Sequence, residues 1–305
     1  MKRYVARADV VGALGGVLLF STACMATENG DTTWPLGVQT VVPAILPPPG
    51  STMLYSYTAY YGADSYKNNR GDSTIPGFKL ENFIQAIRVV HTWDVKLDSG
   101  ITLSSGVIGS ANKVNVEAFG GSDTDSGFRQ LYITPLYLGY SPVPNLHLLT
   151  GFSAFVPLGS YDGDHLANSA SANASYTQEF DLTWFPSPNW EISVAPTFTI
   201  NAKNDDTDYR SGNVVNVDYL LGYRLPNHPK IQLGLAGYYT QQVTDDSSDH
   251  SDIENGNRLR KIAIGPQVFY SFDQASGVVL KWMHETAVKN GPKGDSLWVE
   301  FAFPL

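Results

Sequence analysis

Cysteine is nearly absent. The 305 residues contain one, Cys24, so no intramolecular disulfide can form. Charge is scarce as well. Asp, Glu, Lys and Arg make up 16% of the chain, below the roughly 25% of ordinary soluble domains, which excludes a disordered polyelectrolyte. Basic residues are the rarer sign, 20 against 29 acidic, for a formal net charge of −9. That balance argues against a nucleic-acid partner. Past the N-terminus no apolar run approaches the ~20 residues of a membrane helix. Patterns of the GxGxxG, P-loop and CxxC kinds are missing, so no cofactor is expected. What the chain has in quantity is 17 Tyr, 28 Gly and 6 Trp, a mixture suited to strands and turns.

The first 26 residues have the pattern of an export signal. Lys2, Arg3 and Arg7 precede an apolar stretch from Val10 to Phe20, and Cys24-Met25-Ala26 supplies a small-x-small cleavage site. Removing those three cations together with Asp9 takes the net charge from −9 to −11 and leaves no cysteine. A lipid-bearing Cys24 is the alternative, but the residues before it, Ser21-Thr22-Ala23, lack an aliphatic residue three positions upstream. Residues 27–50 end in Pro47-Pro48-Pro49-Gly50 and read as an extended segment. Two placements stay open for it: a plug inside a lumen, or a periplasmic tail.

From Ser51 onward the period is two. In 190–200, Trp190, Ile192, Val194, Pro196, Phe198 and Ile200 take one face, and Glu191, Ser193, Ala195, Thr197 and Thr199 the other. In 175–185, Tyr176, Phe180, Leu182 and Trp184 oppose Ser175, Thr177, Glu179, Asp181 and Thr183. The same alternation marks 53–61, 83–97, 101–111, 128–140, 146–158, 213–224, 230–242, 259–272, 278–287 and the C-terminal stretch from Leu297. That predicts about twelve strands. Most have the length of a tilted membrane-crossing strand, about 9–11 residues, rather than the five or six of a globular one. Short proline-bearing connections at 141–145, 186–189 and 225–229, with others at 98–100 and 273–276, alternate with longer polar ones at 62–79, 112–127, 159–173, 202–210, 244–257 and 288–294. Tight periplasmic turns and long outer loops are the arrangement of a transmembrane barrel. The fold expected for residues 51–305 is therefore all-β, a transmembrane antiparallel β-barrel in the bacterial outer membrane. Tyr140, Trp184, Phe185, Trp190, Tyr223, Tyr270 and Phe272 collect near the short turns and fit an interfacial girdle. His91, Pro135, Pro196 and Pro266 fit their strands badly.

Several segments also resemble a known family. They are Leu46-Pro47-Pro48-Pro49-Gly50, Val156-Pro157-Leu158-Gly159-Ser160-Tyr161-Asp162, Tyr209-Arg210-Ser211-Gly212 before Val217-Asp218-Tyr219, Gln241-Gln242-Val243-Thr244-Asp245, Ile264-Gly265-Pro266-Gln267-Val268, and Lys281. In order and spacing they are similar to the meta-pathway phenol-degradation family of bacterial outer-membrane proteins. The resemblance implies an outer-membrane barrel associated with aromatic-compound catabolism, which helps hydrophobic compounds enter. It carries no catalytic or binding residues.

Strand phase places Arg88, Asp94, Lys96, Glu179, Asp181, Glu191, Asp218, Arg224, Lys261, Lys281, Glu285 and Glu300 on the lumen side. They read either as cross-strand ion pairs or as a polar channel lining. Tyr60, Tyr132, Phe155, Tyr238, Phe269 and Trp298 are the candidate aromatic lumen contacts. The acidic run 244–252 and the cluster Asp205, Asp206, Asp208 match no metal-binding loop, so no metal site is expected. Tyr176-Thr177-Gln178 and Tyr239-Thr240-Gln241 resemble one segment of the outer-membrane phospholipases, but their His-x-Ser-Asn-Gly segment is missing. The function expected is a channel or facilitator for small hydrophobic or aromatic compounds, not an enzyme. A closed structural or adhesive barrel is the alternative, and a membrane hydrolase a more distant one. Expected partners are outer-membrane lipid, lipopolysaccharide, a small hydrophobic solute, and the barrel-assembly machinery acting on the C-terminal strand.

Overall fold

The computed structural model describes residues 30–249 and 253–305; the expected export signal, 1–26, lies outside the described residues. Twelve long strands follow one another: β1 Thr52–Lys67, β2 Lys79–Thr92, β3 Ile101–Ala118, β4 Gly121–Val143, β5 Leu146–Pro157, β6 Ser175–Ser187, β7 Trp190–Asn201, β8 Val214–Leu225, β9 His228–Gln242, β10 Arg260–Ser271, β11 Gly277–Lys289 and β12 Gly291–Pro304. Each pairs antiparallel with the next. β12 pairs with β1 from Met53↔Pro304 to Lys67↔Gly291, so the sheet closes into a barrel. Closure satisfies backbone groups that hydrocarbon cannot. Among the described residues no helix is long and apolar enough to cross a membrane; strands do the crossing.

Alternation decides which side chains meet lipid. Phe152, Phe180, Leu221, Leu235, Leu280 and Trp282 are exposed on the outer skin, a belt of a kind that water-soluble surfaces rarely carry. Their neighbours in sequence face inward and are buried, among them Ser153, Glu179, Asp181, Ala236, Lys281 and Met283. Tyr140, Trp184, Trp190, Tyr270 and Phe272 are exposed near the short turns, and Phe185 and Tyr223 are half-buried there.

Two expected long loops are not loops. β3 and β4 continue to Ala118 and Gly121, leaving Phe119-Gly120 as a two-residue turn. Both turn residues have positive φ, 54° and 82°, the geometry that favours a tight hairpin. The 288–294 stretch is strand on both sides of Asn290, whose φ is 53°. The polar and glycine-bearing composition of these strand ends imitates a loop. The expected strand 83–97 is shortened in turn. β2 stops at Thr92, and 93–100 forms the connection to β3. Two of the misfit residues have local explanations. His91 Nδ1 lies 2.9 Å from Thr52 Oγ1, and Pro135 sits in the register shift between Ile133 and Leu136.

The β10–β11 turn is organised by one carboxylate. Asp273 accepts the Ser276 hydroxyl at 2.6 Å and the Ala275 and Ser276 N–H groups at 2.8 Å. These bonds, the Ser276 hydroxyl foremost, hold its carboxyl below the usual range. A depressed folded-state value means the turn's stabilisation is complete above about pH 4 and is lost as pH falls through the lowered value. The protection of the Ala275 and Ser276 amides, as exchange relative to the intrinsic rate at each pH, should therefore hold down to mildly acidic pH and fall below it. In Asp273→Ala it should be lost throughout.

Candidate functional site

The lumen is not empty. Residues 30–50 run through it from end to end. Gly30 lies against Pro292 and Tyr66 at the end that bears the long loops. Gly50 donates its N–H to Thr92 O at the opposite rim. Between them the barrel wall holds the segment by its backbone. Asp218 accepts the Gly37 and Gln39 N–H groups, each at 2.9 Å. Glu191 accepts the Val42 N–H at 2.8 Å. Lys281 donates to Val38 O at 3.1 Å and to Thr40 Oγ1 at 3.0 Å, and Thr40 donates onward to Gln267 at 2.7 Å. Gln39 Nε2 donates to Glu179 at 2.8 Å, and the Tyr132 hydroxyl donates to the same carboxylate. Nearer the outer end, Arg129 pairs with Asp31 and donates to Thr32 O, and Gln130 donates to Thr33 O. Apolar contacts add to these: Trp34 packs edge-on to Tyr132 and Phe155, and Ala44 packs with Tyr137 and Leu149.

The expected lumen residues fall into three groups. Glu179, Asp181, Glu191, Asp218, Lys261, Lys281, Glu285 and Glu300 are buried inside the barrel. Lys261 pairs with Glu285 at 2.9 Å and Lys281 with Glu300 at 2.6 Å, while Asp218 and Glu191 are bound to the threaded segment. Arg88 faces inward, half-buried, and donates to the Tyr137 hydroxyl at 2.9 Å. Arg224 sits at the short-turn rim, donating to Pro229 O, with its guanidinium 5.8 Å from the centre of the Phe269 ring. Asp94 and Lys96 depart from expectation: they are exposed in the 93–100 connection, because β2 ends before them. Of the aromatics, Tyr132, Phe155, Tyr238 and Trp298 are buried inside and Phe269 is half-buried. Tyr60 is 43% exposed on the outer skin and donates to Glu81. In β1 the inward phase is instead Tyr55, Tyr57, Ala59 and Tyr61, opposite an outer row that contains Ser56 and Thr58.

Three acids of the outer loops are engaged by cations. Asp245 pairs with Arg258 at 2.7 Å, and Lys203 bridges Asp208 at 2.5 Å and Asp249 at 2.6 Å. The hydrogen bond that Lys203 donates to Asp208, then that to Asp249, holds its ammonium above the ordinary lysine range. Positions 250–252 of the acidic run lie outside the described residues.

Above the charged belt a cavity of about 520 Å³ opens between the threaded segment and the β1–β4 wall. Ile84, Ala86, Ile108, Val114 and Val116 line that wall, and Leu166 of the β5–β6 loop lies over the cavity. Sequence reasoning missed this apolar interior because it assigned apolar faces to lipid. It also missed Gln39, Thr40, Arg129, Gln130 and Gln267. The one available signal for the segment's course was its length between the export signal and β1.

The comparisons with known proteins agree with this architecture. The family described as "Putative MetA-pathway of phenol degradation" matches residues 63–301. The chain belongs to this family. An outer-membrane channel of Pseudomonas putida F1 superposes with a TM-score of 0.75 at 17% identity, covering 87% of this chain and 98% of that one. The β domain of the Bordetella autotransporter BrkA gives 0.53 at 11% identity, covering 84% and 100%. The translocator domain of the autotransporter NalP from Neisseria meningitidis gives 0.50 at 8%, covering 85% and 90%. These likenesses establish the fold of this family member as an outer-membrane barrel. None of the curated proteins matches its sequence.

Proposed function

We propose that the protein is an outer-membrane channel that admits small hydrophobic or aromatic compounds, with residues 30–50 acting as a plug. The observation that carries this reading is the apolar cavity inside the barrel, which is floored by the threaded segment. A polar lumen would suit sugars or ions; a wall of Ile84, Ile108, Val114 and Val116 suits a ring or a hydrocarbon. The similar Pseudomonas putida protein is an outer-membrane channel, and the description of the matching family names phenol degradation. The protein performs no chemistry in this reading. His165 has Asp123 at 3.2 Å without a serine, His147 has Ser141 at 2.8 Å without an acid, and His284 has Asp295 at 2.9 Å without a serine, so these three do not form a nucleophilic triad.

The test uses cells, because small aromatics cross bare phospholipid unaided. In a Gram-negative host with intact lipopolysaccharide, cells carrying the protein should take up labelled toluene several-fold faster than vector controls. Equal rates would sink the channel reading. They would favour a closed barrel instead, the second reading, which the filled lumen supports.

A further inference from the structure

Arg88 is a cation on the cavity wall that lacks an anion. Its Nη2 donates to the Tyr137 hydroxyl at 2.9 Å. Its guanidinium carbon lies 5.6 Å and 5.4 Å from the ring centres of Tyr55 and Tyr137. Tyr137 reaches it by lying on Gly151, where a Cβ would come within 2.5 Å of the ring. The Nε–H has no partner among the described residues. Two other cations on the cavity wall are balanced, Arg129 by Asp31 and Lys261 by Glu285. Glu179 and Asp181 act on Arg88 only at longer range. Neither lines the cavity, and Glu179 is already engaged by Tyr132 and Gln39.

A guanidinium does not escape burial by losing its proton, so an unpaired one in an apolar setting carries a standing cost. Three more buried donors without partners belong to residues around the cavity, one on the threaded segment and two on β12. Trp34 Nε1, Ser296 Oγ and Trp298 Nε1 have none among the described residues, and all three residues line the cavity. One uncompensated positive charge beside aliphatic side chains complements a flat apolar body with an anionic acceptor at one end. We propose that this cavity is a binding site for aromatic carboxylates. The ring rests against Ile84 and Ile108, and the carboxylate meets the Arg88 fork. This deepens the channel reading above and rests on it.

Equilibrium dialysis of the detergent-solubilised full-length protein at pH 8, with benzoate and benzamide, tests the assignment. The two ligands share shape and differ in charge. Benzoate should bind at least about tenfold more tightly, the worth of a charge-assisted hydrogen bond. In Arg88→Gln the two affinities should converge, because both ligands then meet the same neutral side chain. Arg88→Lys, which keeps the charge without the fork, should retain part of the preference. Heat-modifiable gel mobility reports that each variant is folded. Equal affinities in the wild type, or a preference that survives Arg88→Gln in a folded barrel, would overturn the carboxylate site. If that happened while toluene uptake persisted, the channel reading would stand without it. If neither ligand bound, the cavity would not be a site for rings, and both readings would lose their support.

Discussion

Deleting residues 30–46 should turn a silent barrel into a conducting one. In planar bilayers the full-length protein is expected to show rare openings or none, and the deletion steady ones. The reason lies in how the segment is seated. It is held by main-chain N–H groups on the carboxylates Asp218 and Glu191 and by main-chain oxygen on Lys281. Hydrogen bonds to charged groups are worth about 1.5–3 kcal/mol each. Removing the Asp218 pair should shift the seated-to-unseated balance by at least about a hundredfold. Asp218→Ala is therefore expected to raise open probability by about that factor while leaving the β8 ladder intact, since Asp218 points inward from a strand paired on both sides. The point variant also guards against a deletion that fails to assemble. Unchanged conductance in a folded Asp218→Ala barrel and a folded deletion would mean that the segment does not gate the lumen.

The period of two was legible because lipid and lumen demand opposite chemistry on alternate residues. Where that contrast holds, as in Ser175–Ser187 and Trp190–Asn201, the inward residues follow directly from the pattern. It fails where the two faces do not carry that contrast. In 112–127 the outer row is polar, with Lys113, Asn115 and Glu117 opposite the buried Val114 and Ala118, so the stretch reads as a loop although it is a hairpin. In β1 both faces carry tyrosine, so Tyr60 and Tyr61 cannot be told apart by hydrophobicity. Asp94 and Lys96 alternate with Trp93, Val95 and Leu97 as a strand would, but the ladder between β2 and β3 ends at Thr92↔Ser104 and leaves them outside it. The charged belt was visible as inward carboxylates and amines. What those groups hold was not, because the ligands are peptide N–H and C=O groups of a segment far off in sequence, and every residue carries those. The cavity wall was hidden for a related reason: an apolar inward face contradicts the rule by which inward faces are recognised.

The same belt should contain the most sensitive single position for stability. Lys281 is fully enclosed. It pairs with Glu300 on the neighbouring strand at 2.6 Å, donates to Val38 O and Thr40 Oγ1, and lies 5.4 Å from the centre of the Trp298 ring. Lys281→Met keeps most of the side-chain volume but strands the Glu300 carboxylate in a buried setting. Breaking a buried pair from one side costs about 3–5 kcal/mol, whereas replacing both partners is often close to neutral. Lys281→Met should therefore lower the urea midpoint of the detergent-refolded barrel strongly, and Lys281→Met with Glu300→Gln should recover most of the loss. The double variant should still conduct more than the wild type. It restores the balance between β11 and β12 but not the two bonds to the threaded segment. A double variant as unstable as the single would show that the cost lies in the lost bonds to Val38 and Thr40 rather than in the unpaired charge. The segment would then be a structural element of the barrel, and its displacement could not be a step in transport.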